Sequence, residues 1–541
     1  MLKQNQTKEI GSFEIKKQLF QHLQKQAQLI TKQGSKGFQN YAKRYDREFK
    51  GPWEPVANSE LIKKLQTASL VFLADFHALN QSQRTHVRLL RNLKKAHESV
   101  LLLECFQEKH QSELDQFLAG ELSESQFLQK IDWEQNWGFP WENYKPLVDW
   151  ALKHKVPIVA LNKKEKGFSD DNLKRRDIRA AQLIKKAIHQ YGADRKYIVI
   201  FGDHHLAKDH LPKEVYSQIG RLWKAKSLFV FQNADEVFLE IVKNNQEHSV
   251  DAVKFSEQKY CVQSVPPWVK WQHYLIFLEQ NYDTEIEEGR DFSDWVDQLT
   301  QILLKDLGLN KLNFSYEVES VFDEKTYKKL IKASTIGQKK IIHFNYSNEI
   351  SFYMPSSKYA VLARPTMNHA ATLAMEVLYA HTAQIETLPD NLNDKLISLI
   401  WIKGIGYFGS KLMNPKRKTY TVNDIKVQIE SAGNSIFKKS VLQTAIRIKM
   451  QEMLFLQTGR MPAYQIENKG INVLLEVAQI LGAMIGEKLY YGFKMQILSK
   501  KWFQQMLKMN PLSDEFKNFY LETVAVLNGL PDTVKSKNEK L

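Results

Sequence analysis

Four short apolar runs, each followed at once by polar residues, constrain the fold of this chain more than any other feature of its sequence. The runs span residues 70–73, 100–103, 156–161 and 197–201, and helical patterns separate them. A continuous apolar run of this length is typical of a strand buried on both faces, as in parallel sheets. The sequence therefore predicts an α/β domain with a mainly parallel sheet and crossover helices.

The polar residues that follow these runs are candidate ligand-binding residues. Parallel strands joined by crossover helices place their carboxyl ends at one edge of the sheet, where α/β folds bind ligands. The residues at these ends are Asp75, His77, Glu104, Asn162, Asp203, His204 and His205. We therefore expect side chains that are far apart in the sequence to meet in one crevice.

His77, Glu104 and His205 are the main group of candidate catalytic residues. Two imidazoles and one carboxylate can hold a divalent transition metal, with Asp203 as a further candidate ligand if it faces the same crevice. Without a metal, the same side chains can act as acid and base in a hydrolase. The alternative is that they only form hydrogen bonds along the sheet edge. We expect His86 to lie at the surface.

An aromatic cluster between the second and third runs suggests a different ligand. It contains Trp133, Trp137, Phe139, Trp141 and Tyr144. Flat aromatic walls, Trp141 among them, suit a porphyrin, and the Tyr144 oxygen or a His77 nitrogen can bind ferric iron axially. Arg84, just after the first run, could attract a carboxylate. Aromatic clusters also fill protein cores, so both interpretations stay open.

The pattern along the chain predicts three parts. Residues 1–58 form a basic helical lead-in with a loop around residues 36–50, residues 59–265 form the α/β domain, and residues 266–541 form a mostly helical domain. Within the α/β domain, residues 237–241 are predicted as a strand. Within the helical domain, residues 340–344 and 350–354 are predicted to form a small β-hairpin, and the Gly482–Gly486 spacing predicts close helix packing.

Charge and hydropathy limit the partners of the chain. Its formal net charge is +15, which favours anionic partners, although a solvated basic surface is the simpler explanation. No recognisable nucleic-acid-binding fold surrounds its short basic loop at residues 416–418, so we expect no nucleic acid partner. The start is polar, with no apolar signal segment and no cysteine to accept a lipid, and no apolar stretch is long enough to cross a bilayer. We therefore expect a cytoplasmic protein with a small-molecule ligand. A homo-oligomer stays open.

The sequence between the second and third runs resembles a known family. The resemblance rests on residues 104–106, 113–123, 133, 137–147 and 157–162, which include the run Trp137-Gly138-Phe139-Pro140-Trp141. These residues are similar to the ChaN-like haem-binding uptake family, a branch of the superfamily that includes the erythromycin esterases and the Tiki and TraB proteins. Residues 74–77 and 202–205 stand where that superfamily has its paired Gly-x-x-His motifs. Ala74 and Asp75 depart from the usual glycine and glutamate.

The resemblance implies haem or iron as the ligand of the crevice, with His77, Arg84, Trp141 and Tyr144 as candidate contacts. Two alternatives remain open. One is a hydrolase, metal-dependent or built on histidine and glutamate alone, in which His77 or His205 activates water. The other is a non-catalytic scaffold that acts through the helical domain.

Overall fold

The structure is a computed structural model that describes residues 12–31, 36–163, 169–281, 293–309, 315–320, 322–433 and 435–530. The described residues form two compact units. The first contains those between residues 17 and 284, and the second contains those after residue 284 together with residues 12–16. The predicted boundaries near residues 58 and 265 remain predictions.

Eight strands of the first unit form one sheet. They are β1 (Glu54–Val56), β2 (Leu70–Asp75), β3 (Ser99–Gln107), β4 (Ile158–Asn162), β5 (Lys196–Gly202), β6 (Ser227–Gln232), β7 (Ala252–Ser256) and β8 (Lys259–Val262). Their order across the sheet is β1-β7-β8-β6-β2-β5-β3-β4. The six strands from β8 to β4 are parallel, and β7 is antiparallel to both of its neighbours. The predicted mainly parallel sheet is confirmed.

Helices cover both faces of this sheet. The helices described between residues 12 and 281 are α1 (Ser12–Ile30), α2 (Lys36–Asp46), α3 (Asn58–Thr67), α4 (Asn80–Leu90), α5 (Gln111–Leu118), α6 (Glu124–Lys130), α7 (Trp133–Asn136), α8 (Trp141–His154), α9 (Asp170–Tyr191), α10 (Leu211–Ile219), α11 (Leu222–Ala225), α12 (Asp235–Lys243) and α13 (Pro267–Asn281). Alternate residues of β2 enter two separate cores. Val71 and Leu73 pack with α4 and α8, while Leu70 and Phe72 pack with α9 and α10. Burial on both faces explains why the strand sequences are continuously apolar.

Two predicted elements of the first unit are wrong. Residues 237–241 lie in α12 and not in a strand, because a short apolar run has no period that separates a buried strand from a buried helix. The predicted loop around residues 36–50 contains α2, where Tyr41 and Tyr45 are buried.

The second unit is mostly helical, as predicted. Its helices are α14 (Ser293–Leu307), α15 (Glu324–Lys332), α16 (Ile336–Ser347), α17 (Met367–Thr382), α18 (Leu392–Met413), α19 (Val422–Ser431), α20 (Ile436–Thr458), α21 (Ile471–Lys494), α22 (Lys500–Met506) and α23 (Phe516–Asn528). Among the helices described in either unit, none combines the length and apolarity that a bilayer crossing requires.

A small sheet in the second unit contains a hairpin in which one strand lies within the predicted residues 350–354 and the other lies outside the predicted ranges. The hairpin pairs β10 (Phe352–Met354) with β11 (Tyr359–Val361), and β9 (Glu317–Glu319) is parallel to β11. Residues 340–344 instead lie in α16. The Thr335 hydroxyl and the Gln338 side chain form a capping box that starts this helix, and this local signal outweighs the apolar run that suggested a strand.

Helices α18 and α21 approach closely because glycine lies between them. A Cβ atom on Gly482 would lie 2.7 Å from the Ile400 carbonyl oxygen and 2.8 Å from the Gly404 nitrogen. Both neighbours are backbone atoms that cannot move aside. The close packing predicted from the Gly482–Gly486 spacing is therefore confirmed.

We expect Gly482→Ala to destabilise the second unit. Overpacking of this kind costs about 1–3 kcal/mol of the free energy of unfolding, measured as a lower midpoint in denaturant. The matched control is Gly337→Ala in α16, where an added Cβ meets no atom within 4 Å. Alanine there should leave the midpoint unchanged or raise it, since it is the better helix former. Equal effects of the two substitutions would contradict this account.

Candidate functional site

The three main candidate residues meet at the carboxyl end of β5. A Cβ atom on Gly202, the last residue of that strand, would lie 3.2 Å from both His77 Nε2 and Glu104 Oε2 and 3.4 Å from His205 Cδ2. His77 Nε2 itself lies 3.4 Å from Glu104 Oε2. The sheet register explains this meeting, because Asp75 at the end of β2 pairs with Gly202. Only glycine leaves room for the three side chains at this position.

Asp75 orients His77 through the ring nitrogen that faces away from Glu104. His77 Nδ1 lies 2.8 Å from Asp75 Oδ2, and the same oxygen accepts a hydrogen bond from the Tyr144 hydroxyl at 3.1 Å. The other oxygen of Asp75 contacts Gln83 Nε2 at 2.8 Å and His86 Nε2 at 3.1 Å. The carboxylate is buried, and these partners come from the turn that follows β2 and from the helices α4 and α8.

Glu104 is buried on the other side of His77. One oxygen forms an ion pair with Arg176 of α9, and the other accepts a hydrogen bond from the Gly202 backbone N–H. Arg176 also lies 3.5 Å from the amide oxygen of Asn162, at the end of β4. Both oxygens of the Glu104 carboxylate are therefore already occupied by partners within the protein.

These contacts shift the pKa values of Glu104, Asp75 and His77. Burial raises the pKa of Glu104, but Arg176 and His77 outweigh it and lower that pKa to about 2. Burial likewise raises the pKa of Asp75, and hydrogen bonds from His77 and His86 bring it far below its usual range. Burial lowers the pKa of His77, but the two carboxylates outweigh it and raise that pKa to about 10. At neutral pH, His77 is therefore an imidazolium between two carboxylates.

His205 has a separate partner that orients it. Its Nδ1 lies 2.6 Å from Asp177 Oδ1 and 2.8 Å from the Tyr41 hydroxyl oxygen, and that hydroxyl donates to Asp177 Oδ2 at 2.7 Å. Asp177 is buried, and Tyr41 stacks on His210 with ring centres 3.5 Å apart. Asp177 and Tyr41 contact the Nδ1 side of the ring, and the Cδ2 edge lies toward Gly202, so a tautomer with hydrogen on Nδ1 has Nε2 as its acceptor.

The other predicted site residues lie elsewhere. Asp203 accepts a hydrogen bond from the His204 backbone N–H at 2.7 Å. Within the described part of the chain, no hydrogen bond joins Asp203 to His77, Glu104 or His205. Arg84 is exposed on α4. Trp141 is buried against Trp133, with ring centres 5.0 Å apart. None of these three residues contacts the crevice in this structure.

Five residues that the sequence did not indicate support the site. They are Tyr41, Gln83, His86, Arg176 and Asp177. The expectation of a surface position for His86 is wrong, since it is fully buried. Its spacing of three residues from Gln83 places both on one face of α4, and this was the available signal. The charged run around residues 174–177 gave no such signal, because similar runs are common on solvated helices.

The donor atoms do not fit a metal ion. No group of three His, Cys, Asp or Glu side chains among the residues that the structure describes is arranged to hold one. The physical reason is that Glu104 is already bound to Arg176 and to the Gly202 N–H, while His77 carries a proton on each ring nitrogen. A metal would have to displace these partners.

A buried haem does not fit either. The cavity bounded by His77, Glu104, Trp137 and Tyr144 has a volume of about 10 Å³, room for about one water molecule. The Tyr144 hydroxyl is buried, and it donates to Asp75. The Tyr144 oxygen is therefore not accessible to a porphyrin iron. Any porphyrin must therefore lie outside this cavity.

We expect the ion pairs of His77 to stabilise the protein in a defined pH range. A histidine with a raised pKa contributes fully below the unfolded value of about 6.5, and the contribution is lost as the pH rises toward 10. His77→Gln should lower the free energy of unfolding by about 3 kcal/mol near pH 6, with a smaller loss at each higher pH. Urea unfolding from pH 6 to pH 10 measures this difference.

The control for this prediction is His110→Gln. Burial lowers the pKa of His110, so any pH dependence of its effect has the opposite sign, with stability rising through pH 6.5. A cost of His77→Gln that is constant across the range, or that grows with pH, would contradict the charge assignment of His77.

Comparison with known protein families gives a match for the central part of the first unit. Residues 61–170 match the family model described as "Haem-binding uptake, Tiki superfamily, ChaN". The matched segment runs from α3 to the start of α9 and contains His77, Glu104 and Tyr144, whereas Tyr41, Asp177 and His205 lie outside it. No curated protein and no solved structure matches the chain. The match confirms, for this segment, the predicted resemblance to the ChaN-like haem-binding uptake proteins.

Proposed function

We propose that the protein binds haem or a related porphyrin on the outer face of the strand-end site, against His77, Trp137 and Phe139. The family match supports a haem ligand at the level of the family. The observation that carries the proposal is a half-buried aromatic wall around the exposed edge of a cationic imidazole. The His77 side chain is 22% exposed, whereas Asp75 and Glu104 beneath it are 2% exposed.

The wall consists of aromatic rings in mutual edge contact. The Trp137 ring centre lies 4.6 Å from the His77 imidazole, and the Phe139 ring centre lies 5.3 Å from it. Phe277 of α13 stacks on Phe139, with ring centres 4.6 Å apart, and this contact supports the wall from the side. Aromatic rings bind a planar conjugated ligand through stacking and edge contacts.

The charge of the site also suits a porphyrin with carboxylate groups. His77 is cationic, and Arg176 is partly exposed beside it. Each is paired with a carboxylate, so the inner network is balanced and an anionic ligand meets no buried uncompensated negative charge. This proposal requires no bond from Tyr144 to iron, because the Tyr144 oxygen is buried against Asp75.

We expect Trp137→Ala to weaken hemin binding at least tenfold, or about 1.4 kcal/mol, because it removes the largest part of the wall. Tyr144→Phe should bind hemin as the unmodified protein does. The measurement is the Soret absorbance during a hemin titration. The matched control is Trp223→Ala, a partly exposed tryptophan of α11 away from the site.

Two results would overturn the proposal. One is the absence of any saturable Soret change with the unmodified protein. The other is unchanged binding in Trp137→Ala together with loss of the Soret band in Tyr144→Phe, which would place the porphyrin on the buried tyrosine.

A second candidate function is metal-independent hydrolysis, favoured by the Asp177–His205 pair. His205 Nε2 would take a proton from water, whose oxygen adds to a carbonyl carbon of the substrate, while Asp177 holds the ring in the required tautomer. The positive charge of His77 would stabilise the oxyanion only through its electrostatic field, because both ring N–H groups already face carboxylates, and the proton taken by His205 passes to the leaving group.

Hydrolysis of p-nitrophenyl butyrate tests this candidate. We expect turnover above the buffer rate that falls at least 100-fold in His205→Gln and in Asp177→Asn, as for a lost general base. His189→Gln, at an exposed position of α9, is the control and should retain most of the activity. Equal rates in the His205→Gln protein and the unmodified protein would exclude this role for His205.

A further inference from the structure

A cavity of about 490 Å³ lies within the second unit, separate from the strand-end site. Its walls come from the helices α16, α17, α18 and α21, from β10, and from residues 385–390. Protein interiors are close-packed, with few voids larger than a water molecule, and small-molecule sites have volumes of roughly 300–1,000 Å³. The cavity therefore has the size of a ligand site and not of a packing defect.

The accessible wall of the cavity is mostly apolar, and its inner part is formed by buried side chains. Phe344, Phe352, Leu399 and Tyr379 are among them, and each is at most 6% exposed. The hydroxyl of Tyr379 donates to the Met509 carbonyl oxygen at 2.7 Å, so its polar end is satisfied outside the cavity. These side chains are held by the surrounding helices, so the cavity exists before any ligand enters.

One charged pair lies in the inner, less exposed part of the wall. Lys403 Nζ lies 2.7 Å from Glu376 Oε1, and the two side chains are 12% and 4% exposed. Glu376 is held against Gly406 of α18, where a Cβ atom would lie 3.0 Å from the same oxygen, and the backbone of Tyr353 also hydrogen bonds this carboxylate. The carboxylate therefore has protein partners, and the ion pair is fixed in place.

Lys403 has donors left over. An ammonium group carries three hydrogens, and Glu376 accepts one of them. Within the described residues, no other hydrogen bond to the Lys403 ammonium is found. Lys403 is only partly exposed, so an acceptor on a ligand in the cavity can take one of the remaining ammonium hydrogens. This feature gives the apolar cavity one defined polar contact.

The charge balance of the wall indicates what kind of ligand fits. The lining contains the three lysines Lys340, Lys395 and Lys403 and the three acids Glu376, Glu386 and Asp390. A further charge brought beside the Lys403–Glu376 pair would be buried without a counter-charge. Burial raises the pKa of Glu376, even though Lys403 and Tyr353 lower it, which shows that the local surroundings already disfavour net negative charge.

We propose that this cavity binds an uncharged, mainly apolar small molecule that accepts a hydrogen bond from the Lys403 ammonium. The site lies in the second unit and uses none of the residues of the porphyrin proposal. The failure of one proposal would therefore leave the other unaffected.

Nile red, an uncharged and fluorescent molecule with one carbonyl acceptor, is the probe. We expect saturable binding to the full-length protein with one site per chain. Leu399→Trp and Ala380→Phe, which extend side chains into the cavity, should each weaken it at least tenfold. The matched control is Leu512→Trp at an exposed position, which should leave the affinity unchanged. Unchanged binding in both cavity variants, with wild-type circular dichroism, would overturn the proposal.

Lys403→Met tests the hydrogen bond, and it should weaken Nile red about tenfold while the hemin titration stays unchanged. The anionic probe 8-anilinonaphthalene-1-sulfonate should compete poorly. Displacement of Nile red by this anion at a concentration below that of Nile red itself would overturn the proposal that the ligand is uncharged. Hydrogen exchange can be measured on the unmodified protein, so this test does not depend on the folding of a variant. Nile red should slow the exchange of backbone amides in α16 and α18. Slower exchange confined to other helices would show that the probe binds elsewhere and would contradict the proposal.

Discussion

The structure of the candidate site depends on a buried chain of alternating charges. Asp75, His77, Glu104 and Arg176 follow one another with contacts between each neighbouring pair, and Gly202 at the end of β5 lies against His77 and Glu104. Ionised groups are costly in a protein interior unless each has an opposite charge and hydrogen bonds. Here each carboxylate has both. The chain is therefore stable only when all four members are present, and it fixes the relative positions of β2, β3, β5 and α9.

The same chain limits what the site can do. Because the carboxylates hold His77 in its protonated form, this histidine is not a general base near neutral pH and has no free lone pair for iron or another metal. The interior is also too small for a porphyrin. What remains open is the outer edge of His77 with its aromatic wall, and the opposite histidine, His205, which Asp177 and Tyr41 contact on the Nδ1 side of its ring. A ligand can use these two features without breaking the charge chain.

The sequence was sufficient for the sheet and for the meeting of His77, Glu104 and His205, because strands buried on both faces have an unmistakable apolar pattern and parallel strands share one edge. It was insufficient for the second layer of the site. Arg176 and Asp177 lie in a charged helical run, and Tyr41 lies in a segment that reads as a basic loop; their roles depend on which face of each helix meets the sheet. The strand predicted at residues 237–241 failed for a related reason, since burial on all sides hides the period of a helix.

Measurement of the protonation of His77 tests the central claim most directly. The nitrogen chemical shifts of a ¹⁵N-labelled histidine ring distinguish an imidazolium, with hydrogen on both nitrogens, from a neutral ring. With His77 assigned by comparison with the His77→Gln protein, this account predicts an imidazolium at pH 8.5, where an ordinary histidine is neutral. A neutral His77 ring at that pH would show that the charge chain does not exist as described, and the site would then be open to the metal and axial-ligand chemistry that the structure disfavours.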